Sequence, residues 1–587
     1  MKKLLISALA IIPAAGAVAQ SPINAMELSQ TELRGSARFM SMAGAFTALG
    51  ADISAVGQNP AGIGMYRGSD IGLTLGVDIN SNKTQWDGGD NTEKSTLANL
   101  NSAGYVGTML FGANRDNSVS WGFTYNRLYR FNRTYTGGMS NMQTSLSNYI
   151  ASITDGVDPA LLWMEDANRK PLYPYDNYDY NAPDWMSILY YNSGMIHPET
   201  YAADGGVYES DQYRGMWQYD YVDDKGKAIP SYGTSDFLIR EKGHADEYNI
   251  SLGGSIMNLV YWGIGVGITD LDYTQEYRYN EQINNALVPV KQESEQTETS
   301  TYQLGTANYS ELSSFRRLSG SGANFKVGAI IKPINELRIG IAVHTPTYYS
   351  ISSSSYGSTA FNFSTANPNY EFSGSESTPL DNYQFALHTP WKLMAGVAGV
   401  IGGRAILSVD YQYDAYGDMK LKYNSGEAMT FNNENIARYY KGTSTIRIGA
   451  EYRLTPQLSL RAGYSHTSTA SGSELENANT DLNKSGMEIS TAGMNPSYNV
   501  NNATQYITCG LGYKVSGFYF DLAYVNKHRT STFNAFTPFV DDGVWTQAPT
   551  AKLTDNSSQI VATVGYRLGS PPGDCETQDT YRDCRRP

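Results

Sequence analysis

From Gly402 to Leu568 the chain alternates with period two, apolar or aromatic residues on one side and small, polar or charged residues on the other. In 404–414, Ala405, Leu407, Val409, Tyr411 and Tyr413 oppose Arg404, Ser408, Asp410, Gln412 and Asp414. In 443–454, Ile446, Ile448, Ala450, Tyr452 and Leu454 oppose Thr445, Arg447, Gly449, Glu451 and Arg453. The same split recurs around Phe518–Tyr524 and Ile560–Leu568. Strands of about ten residues with one greasy and one charged face suit a closed transmembrane β-barrel, which leaves no sheet edge unpaired in hydrocarbon. A large soluble β-sandwich also alternates and is the competing reading.

Alternation and turn signals predict about fourteen strands, near 69–80, 100–112, 118–132, 244–256, 258–277, 309–331, 335–350, 380–400, 402–423, 441–454, 457–468, 503–515, 517–530 and 556–568. The expected fold is therefore an all-β, antiparallel transmembrane barrel. Near Val260 the inward positions are Gly263, Gly265 and Gly267, which either leave lumen space for a plug or relieve curvature. His344-Thr345-Pro346 and His388-Thr389-Pro390 each interrupt a strand, because proline removes a ladder donor. The stretch 133–243 breaks the pattern and reads as one long extracellular loop, rich in Tyr and Trp that suit stacking on sugars or greasy ligands. Its Asp176–Asn181 run has the acidity of a calcium loop but lacks the EF-hand spacing and glycine.

The start of the chain favours the barrel over the sandwich. Lys2 and Lys3, an apolar run from Leu4 to Ala15 and Ala17-Val18-Ala19 form a signal peptide, 1–19, cleaved before Gln20. No cysteine follows the cut, which argues against a lipoprotein anchor. No later stretch approaches the roughly 20 apolar residues of a membrane helix, and the mean hydropathy is −0.40. A barrel reconciles these facts, since half of each strand is free to be polar. A net charge of −14 excludes nucleic acid as a partner. Cys509 falls on an apolar strand face, and Cys575 and Cys584 lie in a hydrophilic tail, 569–587, where an oxidising compartment can join them. No catalytic Ser/His/Asp or paired-carboxylate arrangement stands out, so an enzyme is not expected.

Residues 20–68 are not strand-like. Ser36 is placed to cap a helix in which Phe39, Met42, Ala43, Phe46 and Leu49 recur at three- and four-residue steps, and Asn59-Pro60-Ala61-Gly62 forms a turn before the first strand at 69. A unit of this size ahead of a barrel, 69–568, suits a small luminal plug.

The run Gly35-Ser36-Ala37-Arg38, Gly44-Ala45-Phe46, Ala51 to Val56 and Asn59-Pro60-Ala61 resembles the N-terminal hatch of the outer-membrane long-chain fatty-acid transporters, the FadL/TodX group. Further likeness lies in Thr389 to Leu393, Arg447 to Arg453 and Leu460 to Tyr464. The resemblance implies a fourteen-stranded barrel in a Gram-negative outer membrane, among phospholipid and lipopolysaccharide. It implies a hatch in the lumen and passive uptake of hydrophobic molecules, either long-chain fatty acids or aromatic compounds, without a cofactor or metal. Gly35, Arg38, Gly44, Asn59, Pro60 and Ala61 are then the hatch and gating residues. The insertion at 133–243 and the tail depart from the family pattern.

On this reading, cargo is captured at the aromatic outer loops, passes to an apolar pocket above the hatch and is released when the hatch shifts. Phe39 and Phe46 are candidates to line the pocket. Arg34, Arg38 and Asp52 are candidates to pair with the lumen charges Asp410, Arg447, Glu451, Arg461 and Asp521. Two alternatives remain: haem uptake through His344 and His388, and a subunit of a protein-secretion or surface-attachment machine that docks a protein partner through 133–243.

Overall fold

Fourteen antiparallel strands each pair with the next, and the first pairs with the last, so the sheet closes into a barrel. The computed structural model describes residues 21–112, 115–165, 171–172, 175, 183–203, 206–219, 226–291, 300–365, 370–480, 494–541 and 543–568. The signal peptide, the Asp176–Asn181 run, and the tail with Cys575 and Cys584 lie outside the described residues.

The strands are β1 (Ser69–Trp86), β2 (Gly89–Phe111), β3 (Asn117–Met139), β4 (Tyr232–Ile256), β5 (Val260–Lys291), β6 (Ser300–Ile334), β7 (Leu337–His344 and Tyr348–Thr365) and β8 (Glu371–Ser377, Asp381–His388 and Lys392–Ile401). They continue as β9 (Ala405–Asp414 and Lys420–Tyr423), β10 (Thr443–Arg453), β11 (Leu458–Thr467), β12 (Tyr498–Val515), β13 (Phe518–Asn534) and β14 (Thr550–Leu568). Closure runs from Ser69↔Leu568 to Gln85↔Lys552. Connections at one end are turns of two to five residues, and the long connections gather at the other, the asymmetry of outer-membrane barrels.

The faces separate as alternation predicts. Outward Leu407, Val409 and Tyr411 are exposed, whereas inward Ser408, Asp410 and Gln412 are buried. The same holds around the wall, from Ile71, Leu73 and Leu75 on β1 to Ile560 and Val564 on β14. Isolated in water, this skin would be an exposed apolar belt far larger than soluble proteins carry.

The strands are longer than the alternation suggests. β2 starts at Gly89, β3 continues to Met139 and β4 begins at Tyr232, so the insertion spans 140–231 rather than 133–243. The reason is visible on β5, where the outward apolar run Trp262–Ile268 gives way at Asp270 to charge. Above that level the ladder continues, but its outer face is wet. There Arg240 pairs with Glu276 at 2.8 Å and Arg317 with Asp272 at 2.8 Å, and the apolar–polar signal disappears.

The described part of the insertion is a folded cap rather than a solvated loop. Helices α4 (Leu146–Thr154), α5 (Pro159–Leu162) and α6 (Trp185–Asn192) bury Leu146, Ile150, Ile188 and Leu189 against Phe237, Tyr279, Phe361 and Phe533 of the upper wall. Trp217 and Tyr190, expected as stacking platforms, are 5% and 1% exposed and belong to this core.

Both His-Thr-Pro repeats break their strands at one height. β7 stops at His344, β8 resumes only at Lys392, and Thr347 N–H donates to the Thr389 hydroxyl at 2.8 Å in place of a ladder bond.

Candidate functional site

Residues 21–68 enter the lumen from within. α1 (Pro22–Ser29) is capped by Ser21, whose hydroxyl accepts from Asn24 N–H at 3.2 Å. It lies midway up the barrel, where Ala25, Met26 and Leu28 cluster with wall residues Leu271, Leu318, Ile351, Phe385 and Leu387. The chain then descends to α2 (Ala37–Ser41), α3 (Ala55–Gln58) and a 3-10 helix (Pro60–Met65) at the short-turn end.

Ser36 caps α2 as expected from its position, accepting from Phe39 N–H at 3.1 Å. The helix ends after Ser41, however, and does not run on to Leu49. Ala43 and Gly44 take φ of 53° and 74°, left-handed values that stop an α-helix whatever the spacing of apolar residues.

Backbone pressed against backbone seats this hatch. A Cβ on Gly263 would overlap the Pro60 carbonyl, one on Gly340 the Thr47 carbonyl and one on Gly449 the Met42 carbonyl, while one on Gly328 would overlap the Asn59 side chain. On β5, Gly263 makes room for the plug, whereas a Cβ on Gly267 would meet the wall side chains of Asn324 and Glu247. Asn59 ties the turn together: its Oδ1 accepts from Ala61 N–H at 3.0 Å, and its Nδ2 donates to the Thr47 carbonyl at 2.6 Å. Gly35 packs against Ser54, and Gly44 against Leu33 and Phe39.

The polar contacts are buried and charged. Arg38 Nε meets Glu451 Oε2 at 3.1 Å; the same oxygen receives Arg461 Nε at 2.7 Å, and Arg461 Nη1 reaches Asp521 Oδ1 at 2.5 Å. Asp410 Oδ2 accepts from Thr47 N–H at 2.7 Å. Arg338 donates to the Leu49 carbonyl at 3.1 Å, Lys326 to the Gly57 carbonyl at 3.0 Å and His344 Nε2 to the Gln58 carbonyl at 2.8 Å. His344 is therefore committed to the hatch, while His388 stacks edge-on against Tyr348 at 4.6 Å.

Three of the suggested pairings differ. Arg34 bonds Glu32 and Asp78, both at 3.0 Å, rather than the candidate lumen charges. Asp52 stays within the hatch, accepting from the Ser36 hydroxyl at 2.7 Å and Ser54 N–H at 2.9 Å, and burial pushes its carboxyl up. Arg447 donates to Gln412 of the wall at 2.7 Å.

Sequence reasoning missed a second set of anchors on the N-terminal segment. Glu27 lies 3.7 Å from both Arg133 and Arg316, and Gln30 accepts from Arg529 at 2.7 Å. Glu32 takes Lys527 at 2.7 Å. Burial works to raise the Glu32 carboxyl, but Lys527 and then Arg34 hold it down to about 2. A carboxyl lowered on folding stabilises fully above its unfolded value, and that stabilisation is lost as pH falls through the folded one. Acidification from pH 5 toward 2 is thus expected to lower the denaturant midpoint of the wild type, and Glu32→Gln to flatten that dependence, read by intrinsic fluorescence in detergent.

Between the N-terminal segment and the hatch lies a chamber of about 210 Å³. Leu28, Leu33, Phe39 and Met394 contribute apolar surface, but Gln58, Arg127, Glu247, Lys326, Asp414 and Arg447 are among its walls. The pocket above the hatch is therefore of mixed polarity rather than wholly apolar. Phe39 lines it; Phe46 is fully buried, 5.4 Å from Phe39 and under the Arg38 guanidinium at 5.3 Å. The apolar section of the lumen is the level above, and α1 fills it. Among the described residues no group of three or more His, Cys, Asp or Glu side chains is gathered as metal donors would be.

The chain is a fourteen-stranded barrel stoppered by its own N-terminus. No protein-family model matches it, and no curated protein does. Among solved structures it is similar to a Pseudomonas aeruginosa FadL homologue, at 12% identity over 92% of this chain and 100% of that one, with a TM-score of 0.46. It is also similar to the P. putida toluene transporter TodX, at 12% identity over 92% and 99% and a TM-score of 0.45. The Ralstonia pickettii toluene transporter TbuX gives 12% identity over 93% and 100%, with a TM-score of 0.43. These likenesses are distant, and the functional reading rests on the residues and distances above.

Proposed function

We propose that this protein is an outer-membrane channel for passive uptake of hydrophobic molecules, long-chain fatty acids or aromatic compounds, gated by its N-terminal segment. The observation that carries the reading is the position of α1. A helix presenting Ala25, Met26 and Leu28 stands against an apolar stretch of the inner wall, the place a greasy molecule would take. A porin needs a water-filled bore; here the lumen holds a cap core, a helix, a small chamber and a hatch in succession.

In the proposed cycle, cargo enters beneath the cap and displaces α1, exchanging one apolar contact surface for another. Its polar end is accommodated in the chamber beside Lys326 and Arg447, and release follows when the hatch shifts. The haem alternative loses support because the His344 ring is held by Gln58.

Organic extraction of the purified mature barrel followed by mass spectrometry tests the reading. Retained fatty or aromatic molecules are expected. A stable protein partner with no extractable hydrophobic ligand would instead favour the attachment or secretion alternative, with the cap as docking surface.

A further inference from the structure

Above the membrane, a buried carboxyl joins the cap to the wall. Glu281 stands on β5 well beyond Asp270, and its side chain points inward beneath the cap, 1% exposed. Its Oε2 accepts from the Ser145 hydroxyl at 2.5 Å and its Oε1 from Leu146 N–H at 2.9 Å, so one side chain of the wall holds both the N-cap and the first residue of α4. The tie extends into the cap. The Ser145 hydroxyl bonds that of Ser147 at 2.8 Å, and the Ser147 hydroxyl in turn accepts from Met216 N–H at 2.8 Å.

The surroundings of this carboxyl are neutral. Directly opposite it on the flanking strands stand Ser235 of β4 and Ser310 of β6, with Phe237, Leu312 and Ala307 diagonally across and Tyr279 and Ile283 two positions along β5 itself. Asp236, next to Ser235, faces outward and meets Arg278 at 3.6 Å. The titratable groups that face Glu281 are Tyr277 and Tyr279 of the wall and Tyr190 of α6, phenols that burial pushes up so that none ionises near neutrality. Among the described residues no cation pairs with Glu281, in contrast to Glu32 and Glu451, which are just as buried but meet Lys527 and Arg461. Two hydrogen bonds and the start of α4 favour the charged form, but without a counter-ion burial outweighs them and pushes the carboxyl up to about 7.

We propose that Glu281 is a proton-operated latch of the cap: with its proton on, it keeps α4 seated on the wall, and when the proton leaves, the seat loosens and water reaches the carboxylate. The protonated acid keeps both bonds, accepting from Leu146 N–H on Oε1 and donating from Oε2 to the Ser145 oxygen. A carboxyl raised on folding stabilises fully below its ordinary range, and that stabilisation is lost as pH rises through about 7. Mild acid thus holds the cap down over the lumen, and alkaline conditions free it. The latch concerns the cap alone and is independent of what the lumen carries.

The test uses the full mature protein in neutral detergent and peptide-resolved hydrogen–deuterium exchange at about pH 5.5 and about pH 8, each rate divided by the intrinsic rate at that pH. In the wild type, peptides covering α4 are expected to lose protection roughly tenfold or more at the higher pH, while peptides of β10 and β11 keep theirs. Glu281→Gln presents the same acceptor and donor as the protonated acid and is expected to hold α4 equally protected at both pH values. Ser145→Ala, which removes one of the two bonds from the cap side, is expected to lower α4 protection already at pH 5.5. Heat-modifiable gel mobility verifies that each variant is a folded barrel. Wild-type α4 protected equally at the two pH values, or a loss shared by the strand peptides, would overturn the latch. So would a folded Glu281→Gln that loosens with pH as the wild type does, or a folded Ser145→Ala as protected as the wild type at pH 5.5.

Discussion

Replacing Gly263 and Gly340 together by leucine is expected to leave a folded barrel whose hatch no longer seats. Each added side chain would occupy the volume of hatch backbone, the Pro60 and Thr47 carbonyls, and a backbone cannot step aside as a flexible side-chain tip can. The strand ladders on either side, β4–β5 and β7–β8, contribute no atoms to that clash and remain paired. Hydrogen–deuterium exchange resolved by peptide checks this. Peptides within 40–65 are expected to exchange roughly a hundredfold faster than in the wild type, while strand peptides keep their protection. Unchanged protection of the hatch peptides would mean that the glycines serve curvature rather than the plug.

Glu451→Ala is the second large effect. Its carboxylate is the shared acceptor of Arg38 on the hatch and Arg461 on the wall, and all three are buried. Its removal leaves two guanidinium groups facing each other, with Asp521 beside Arg461 and Asp52 near Arg38 among the acids still present. Breaking a buried pair in this way costs about 3–5 kcal/mol. A denaturant-unfolding midpoint shifted by that amount is expected for Glu451→Ala, with partial recovery in the double variant Arg38→Met/Glu451→Ala, where one of the orphaned cations is gone. The recovery separates the hatch contact from a general effect on β10.

Much of this fold was legible because hydrocarbon enforces alternation. Wherever the outer face meets lipid, as in Leu407–Tyr413 or Ile560–Leu568, each second residue is apolar and the strand can be read. Above the membrane that pressure is absent, and the upper parts of β4, β5 and β6 were unreadable although their ladders are continuous. The cap reads as loop in the sequence because helices as short as α4 and α6 bury their faces against the upper wall, a surface the sequence does not reveal.

The candidate site divides in the same way. Alternation marked Asp410, Glu451, Arg461 and Asp521 as inward, and all four are buried there. Which hatch residue meets which wall residue depends on where α2 stops, and that is set by the conformations of Ala43 and Gly44. Arg38–Glu451 was therefore within reach of inference, whereas Arg34–Asp78 and Glu32–Lys527 were not. The polarity of the chamber was hidden because its walls come from many strands, each giving one or two polar side chains that look unremarkable alone.

The reading turns on whether a greasy molecule enters the lumen at the level of α1. Photolabelling the purified barrel with a diazirine-bearing long-chain fatty acid, then mapping adducts by peptide mass spectrometry, measures this directly. The expected adducts fall on α1 and on inward Leu318, Ile351, Phe385 and Leu387. Adducts confined to outward residues such as Ile446, Leu460 and Ile507, with none in the lumen, would contradict it.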